Sequence, residues 1–324
     1  MTKGRKLYDI CKACPPLKYV LVPLKEHRRL RDMITTWGRK KAFDKFTSEY
    51  LHLTRRYETS DELRCDPPKA DVYVAGSDQI WNTDSNNGKE PGYYLDFGTA
   101  KKISYAASFA IGQINDEWKQ FVKQQLSHFA HISVREKTGL KILEDLGFKD
   151  ARQVMDPVFL LDRAEWSSIA KESKDYGLKD NGYILVYDFL YDERIESLTK
   201  KIAKQKGLPI VSVNDFQSLP YADKNINDAG PLEFLSLIEH ADTVVCSSFH
   251  ATAFSLIFQK PFYVFPLKNQ NNSSRMKDLL NTIKHHERFK SIAPLQNFDY
   301  KDVSAIMKEQ VSESKNVLQN YIEF

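Results

Sequence analysis

VVCSSFHATAFSLIFQKPFYVF, Val244 to Phe265, decides the fold. It opens on a short apolar run, breaks at Ser247-Ser248, carries apolar residues at helical spacing from Ala251 to Phe258, and closes on PFYVF. Strand, turn, helix and second strand in so few residues is the repeating unit of a parallel α/β sheet. The charge-free run Thr243–Gln259 is interrupted by Ser247, Ser248, His250, Thr252 and Ser255, so a membrane span is not expected. His250 falls where the helix begins. The N–H groups there bind anions and favour a neutral imidazole, a competent general base; a structural histidine is the alternative reading.

Outward from this unit, the same alternation runs in both directions. Strands are expected at Asp71–Ala75, Lys102–Ala106, His131–Arg135, Gln153–Met155, Tyr183–Tyr187, Pro209–Val213, Thr243–Cys246 and Pro261–Phe265. Helical spacing occupies Trp118–Phe129, Thr138–Leu146, Arg194–Lys206, Pro231–His240, Ala251–Phe258 and Tyr300–Phe324. Pro231 suits the first turn of its helix, and Gly207 suits the residue after one. The polar stretch inside Met155–Gly182 marks a boundary between a first unit, residues 1–165, and a second, residues 166–324. Two Rossmann-like halves facing a cleft are the simplest assembly, with sites at the C-terminal ends of strands.

Composition narrows the class. The chain has 324 residues, 42% hydrophobic and 28% charged, enough apolar material for two cores and too much for a disordered chain. Its net charge of +4 is unevenly spread: residues 1–60 hold 15 Lys/Arg against 6 Asp/Glu. Within them KEHRRLRDMITTWGRKK, Lys25 to Lys41, is either a solvated helix face or a surface for peripheral contact with an anionic membrane. Nucleic acid is not an expected partner, because no RNA-binding aromatic motif or helix-turn-helix accompanies the charge. The N-terminus lacks an apolar signal core, and four cysteines make no disulfide framework, so the expected compartment is the cytoplasm. Cys11 and Cys14 form an isolated pair, and no metal site is expected from them.

Three strand ends carry polar clusters. GSDQIWN, Gly76 to Asn82, is either a turn with local caps or a ligand loop using Ser77, Asp78 and Asn82. SVREKTGL places Arg135 where a guanidinium binds phosphate or carboxylate, or forms an ion pair between the domains. After SSFH, KNQNNSSRMKDLL brings Lys268 and Arg275 into a loop and helix start, as partners for a doubly anionic molecule or as solvated surface. There is no G-x-G-x-x-G, P-loop, H-E-x-x-H or G-x-S-x-G, so dinucleotide redox, NTP hydrolysis, zincin and α/β-hydrolase chemistry fall away.

FDKFTSEYLHLT, ADVYVAGSDQIWN, YYLDFGTAKKISYAASFA, ISVREKTGLKIL, VMDPVFLLD, the segment from Gly230 to Phe265 and SRMKDLL occur in that order. Together these words resemble the polysaccharide pyruvyl transferase family over most of the chain. The resemblance implies a GT-B-like pair of Rossmann-like domains. It also implies transfer of pyruvyl from phosphoenolpyruvate to a sugar diol on a lipid-linked or nucleotide-linked precursor of a surface polysaccharide. It makes His250 the catalytic residue, places Arg135, Lys268, Arg275 and Ser248 at the donor, and leaves Ser77, Asp78 and Asn82 for the acceptor. The donor is phosphoenolpyruvate; no cofactor or metal is implied. The chain departs from the family pattern in two places. It joins the pattern around Trp37, so the first strand–helix unit is expected to be missing or replaced. Ser248-Phe249-His250 stands where some members have Arg-Leu-His. A nucleotide-sugar glycosyltransferase and a non-catalytic subunit of a polysaccharide assembly complex are the competing readings.

Overall fold

The computed structural model describes residues 37–214, 218–267, 274–291 and 300–323. The residues ahead of Trp37, where the first strand–helix unit is expected to be missing or replaced, lie outside these residues, as do most of the basic segment and the Cys11/Cys14 pair. Among them no helix is long and apolar enough to cross a membrane.

All eight expected strands form, several shortened, and every one pairs in parallel. In the first half β1 (Val72–Ala75) pairs β2 (Lys101–Ser104), and β3 (Ser133–Val134) pairs β4 (Arg152–Gln153). Bridges Ile103–His131 and Ala107–Val134 join β2 to β3, giving the spatial order β1-β2-β3-β4. The second half holds β5 (Ile184–Tyr187), β6 (Ile210–Val213), β7 (Lys224–Ile226), β8 (Thr243–Cys246) and β9 (Phe262–Val264) in the order β7-β6-β5-β8-β9. β6, β8 and β9 are buried along their whole length, which is why they read as continuous apolar runs. β7 escapes the sequence reading because it is a polar edge strand, KNI, with only Ile226 buried.

The order of the second sheet reverses between β5 and β8, whose ends Tyr187 and Cys246 lie side by side. A crevice opens at such a switch point, and ligands of α/β sheets bind there. Helix α1 covers residues 37–50, followed by α2 (Ser60–Cys65), α3 (Asp116–Leu126), α4 (Lys137–Asp145) and α5 (Arg163–Ala170). The second half adds α6 (Glu193–Lys206), α7 (Pro231–Glu239), α8 (Phe249–Ile257), α9 (Ser274–Thr282) and α10 (Tyr300–Glu323). The caps are as expected: Gly207 ends α6 in the left-handed region at φ 66°, and Pro231 opens α7.

Two helices ignore the division at residue 165. α1 lies against the second unit, with Tyr50 Oη donating to Glu172 at 2.8 Å and Gly38 packed against Asp228. α10, roughly 36 Å long at 1.5 Å per residue, packs Val303, Met307 and Val311 on the second core. It then crosses to the first unit, where Tyr321 stacks on His131 at 4.5 Å and donates to Ile132 O. Apolar spacing shows that a helix has a buried face; it does not show which unit buries it.

Candidate active site

The first strand end is built around a close backbone approach. Gly76 has φ 129°, and a Cβ there would lie 2.2 Å from Tyr105 O, so only glycine fits. Asp78 follows in the left-handed region at φ 65°. Its carbonyl accepts from Ser108 N at 3.0 Å, and Trp81 N donates to Ser108 O at 3.1 Å, which stitches GSDQIWN to the SYAASFA loop. Glu136, fully buried after β3, holds the same loop: its Oε1 accepts from Ser108 Oγ, Phe109 N and Ala110 N at 2.9–3.2 Å.

Arg135 is brought to this loop by β3, its side chain 1% exposed. Its guanidinium donates to Asp78 Oδ1 at 2.8 Å and to the buried Asp156. Arg275, on the first turn of α9, donates to the same Asp78 oxygen at 3.4 Å. Both guanidinium carbons lie over the ring of Phe249, at 4.9 Å for Arg135 and 5.5 Å for Arg275. Both ion pairs of Arg135 stay within the first unit, so the inter-domain pair considered for it is made instead by Arg275 with Asp78, which brings two cations together at one place.

His250 follows Phe249, their ring centroids 5.5 Å apart. Ser248 caps α8, its Oγ accepting from Ala251 N at 3.4 Å. Burial pushes the imidazole below its ordinary pKa; Asp156 and Asp78 pull it up, and Arg135 and Arg275 push it down again. The ring is thus neutral at pH 7 and able to take a proton. Burial and the neighbouring Arg135 bring Arg275 down to about 10, still charged at pH 7. Partial desolvation of Asp78 is outweighed by Arg135 and Arg275, which hold its carboxyl below the usual range. Burial raises Glu136, against the pull of Arg135.

The structure gathers Asp78, Arg135, Arg275 and His250 into one cluster. Asn82 serves its own turn, accepting from Asp84 N at 3.0 Å and donating to Gln79 at 3.2 Å. Ser77 is half-buried beside Asp78. Lys268 lies outside the described residues. Asp156 and Phe249 were missed as site residues by the sequence reading; MDPVFLLD and SSFH show them only as words, and their partners come from other strands and helices.

A family model for polysaccharide pyruvyl transferase matches residues 5–269. The chain belongs to that family. As a member it is a transferase, and the match begins upstream of Trp37. A comparison with curated proteins finds no match. Among solved structures this chain is similar to a UDP-N-acetylglucosamine 2-epimerase from Rickettsia bellii, with 11% identity, a TM-score of 0.45, and 81% of this chain and 76% of that one covered. A UDP-GlcNAc 2-epimerase from Methanocaldococcus jannaschii gives 12% identity and a TM-score of 0.42, covering 78% and 71%. The wall teichoic acid polymerase TagF gives 9% identity and a TM-score of 0.41, covering 79% and 72%.

Proposed function

We propose that this transferase moves the pyruvyl group of phosphoenolpyruvate onto two hydroxyls of a sugar, as a ketal, on a lipid-linked or nucleotide-linked precursor of a surface polysaccharide. The observation that carries the reading is the convergence of Arg135 and Arg275 on Phe249 beside a neutral His250. Two guanidiniums suit a donor that carries a phosphate and a carboxylate.

The chemistry balances without an oxidant or reductant. A proton adds to the donor's methylene carbon, two sugar oxygens bond to the adjacent carbon, and the bond from that carbon to the phosphate oxygen breaks. Of the two protons the hydroxyls give up, one is matched by the new methyl C–H and the other departs on inorganic phosphate. His250 takes the proton of the attacking hydroxyl, while Arg135 and Arg275 offset the charge gathering on the leaving phosphate. General acid–base work and anion stabilisation suffice, so the reading calls for no cofactor. Lys268 joins the donor cations; Ser248 lines the cavity beside His250, where donor and acceptor meet; and Ser77, Asp78 and Asn82, on the loop at the arginine side, are proposed contacts for the part of the acceptor that lies outside that cavity.

The proposed setting is the cytoplasm, with the basic segment Lys25–Lys41 touching the inner membrane face. Vesicles of phosphatidylglycerol should retain the protein at low salt and release it at high salt; failure to retain it removes that contact.

Thermal-shift titration tests the donor. Phosphoenolpyruvate should raise the unfolding midpoint and UDP or GDP should not, and Arg275→Gln should lose the shift. A shift with a nucleotide and none with phosphoenolpyruvate would overturn the assignment in favour of a glycosyltransferase.

A further inference from the structure

Beside His250 lies a cavity of about 300 Å³ whose walls are largely aromatic. Tyr187 and Phe189 continue from the end of β5, Phe234 comes from α7, and Phe43 and Arg39 come from α1. Tyr187 packs on Phe189 at 4.6 Å and on Phe234 at 5.2 Å, so three rings form a continuous wall. His250 lines the cavity and also feels the charges of Arg135, Arg275, Asp78 and Asp156; the two site arginines do not line it. The imidazole therefore stands at the boundary between an anion-holding cluster and an aromatic chamber.

Two of the wall rings are exposed without a core reason: Phe189 at 46% and Phe43 at 41%. The exposure of Phe189 is built in. Its own N–H donates to Ser247 Oγ at 3.3 Å, and the Asp188 carboxylate that precedes it accepts from Leu190 N at 3.2 Å and Asp192 N at 2.6 Å. These bonds hold the Phe189 backbone at the cavity wall, where its ring is part-exposed, and exposed apolar surface in a concave site marks a ligand.

We infer that this chamber binds the acceptor sugar as a single pyranose ring, with one C–H face against Phe189 and Tyr187 and its hydroxyl edge toward His250 and Arg39. This rests on the pyruvyl-transfer reading for the direction in which the hydroxyls point. The volume sits at the low end of the ~300–1,000 Å³ usual for small-molecule sites, so it takes one ring and leaves the linked remainder of the precursor outside. The faces of aromatic rings carry negative charge that attracts the weakly positive C–H groups of a sugar, while the hydroxyl edge needs polar partners; the chamber supplies both. The acceptor then approaches His250 from the aromatic side and the donor anion from the arginine side, the arrangement a proton-accepting imidazole between two reactants requires.

Saturation-transfer NMR on the full chain tests this with methyl α-D-glucopyranoside, methyl β-D-galactopyranoside and methyl α-D-mannopyranoside, and with uridine as counter-probe. At least one glycoside should bind, with saturation concentrated on the C–H protons of one ring face. Phe189→Ala and Phe43→Ala should each weaken it at least five-fold, and Leu190→Ala, equally exposed but outside the walls, should not. The phosphoenolpyruvate shift should survive both phenylalanine variants. No glycoside binding, binding indifferent to Phe189→Ala, or uridine binding with the same dependence in place of the sugars would each overturn the proposal. Glycoside binding in a protein that ignores phosphoenolpyruvate would keep the sugar chamber and discard the donor reading.

Discussion

Arg135 and Arg275, from opposite halves of the chain, donate to one oxygen, Oδ1 of Asp78, at 2.8 and 3.4 Å. Their consequences on mutation differ, because their other partners differ. Arg135 also holds Asp156, whose side chain is 1% exposed, whereas Asp78 is 61% exposed and can turn to water.

Arg135→Ala should therefore lose about 3–5 kcal/mol of stability, the usual result of stranding a buried charge. Arg275→Gln should lose less, about 1–2 kcal/mol: it gives up its place over Phe249 but frees only the exposed carboxylate of Asp78, which Arg135 still holds. Urea unfolding of both variants checks the ranking, and equal losses would show that Asp156 finds another partner. Donor binding is accordingly read best with Arg275→Gln.

The depressed pKa of His250 sets a pH dependence of known sign. Between the lowered folded value and the ordinary value near 6.5, the unfolded chain binds a proton that the folded site refuses. Stability from this group is thus present above pH 6.5 and lost as pH falls through the folded value. His250→Gln should remove that part of the slope in midpoint-against-pH curves. Under the proposed mechanism, turnover of the wild type should hold through pH 6.5 and fall only below it, with Gln at this position inactive across the range.

Glu136 has the opposite sign. Its folded pKa is raised, so its contribution is complete below the ordinary carboxylate value of 4.5 and is lost as pH rises through the folded one. Glu136→Gln keeps an acceptor for Ser108, Phe109 and Ala110 and should stay folded to higher pH than the wild type. Glu136→Ala strands those donors and should cost roughly 1–3 kcal/mol per buried group left unpaired. Thermal midpoints from pH 5 to 9 separate the two variants.

Gly76→Ala forces a side chain into φ 129° and a Cβ to 2.2 Å from Tyr105 O. The backbone conformation alone should cost about 1–3 kcal/mol, and relieving the contact must displace the Asp78 loop. Expected are a lowered midpoint and a loss of phosphoenolpyruvate binding together. Gly112→Ala, where nothing lies within 4 Å, is the matched control and should behave as wild type.

The strands were legible because parallel sheets bury both faces, so TVVC and ILVY are mostly apolar, and a helix must follow each to cover them. KNI at β7 was illegible for the complementary reason: an edge strand with one buried residue carries no such run. His250, Arg135, Arg275 and Asp78 were found as separate words because strand ends and helix starts are local features. That one Asp78 oxygen accepts from both arginines is not local. It depends on β3, α9 and the Gly76 turn meeting in space.

What the sequence determined by itself is therefore the set of α/β units, the strand ends that hold polar residues, and the family whose words occur in order. Only the tertiary structure decided that Asn82 serves its own turn, that α1 and α10 pack across the expected division, and that Phe43, Tyr187, Phe189 and Phe234 surround one chamber beside His250. The physical reason is range. Propensity, capping and burial period act over a few residues along the chain, while ion pairs and cavity walls join side chains that the chain brings together only after it has folded.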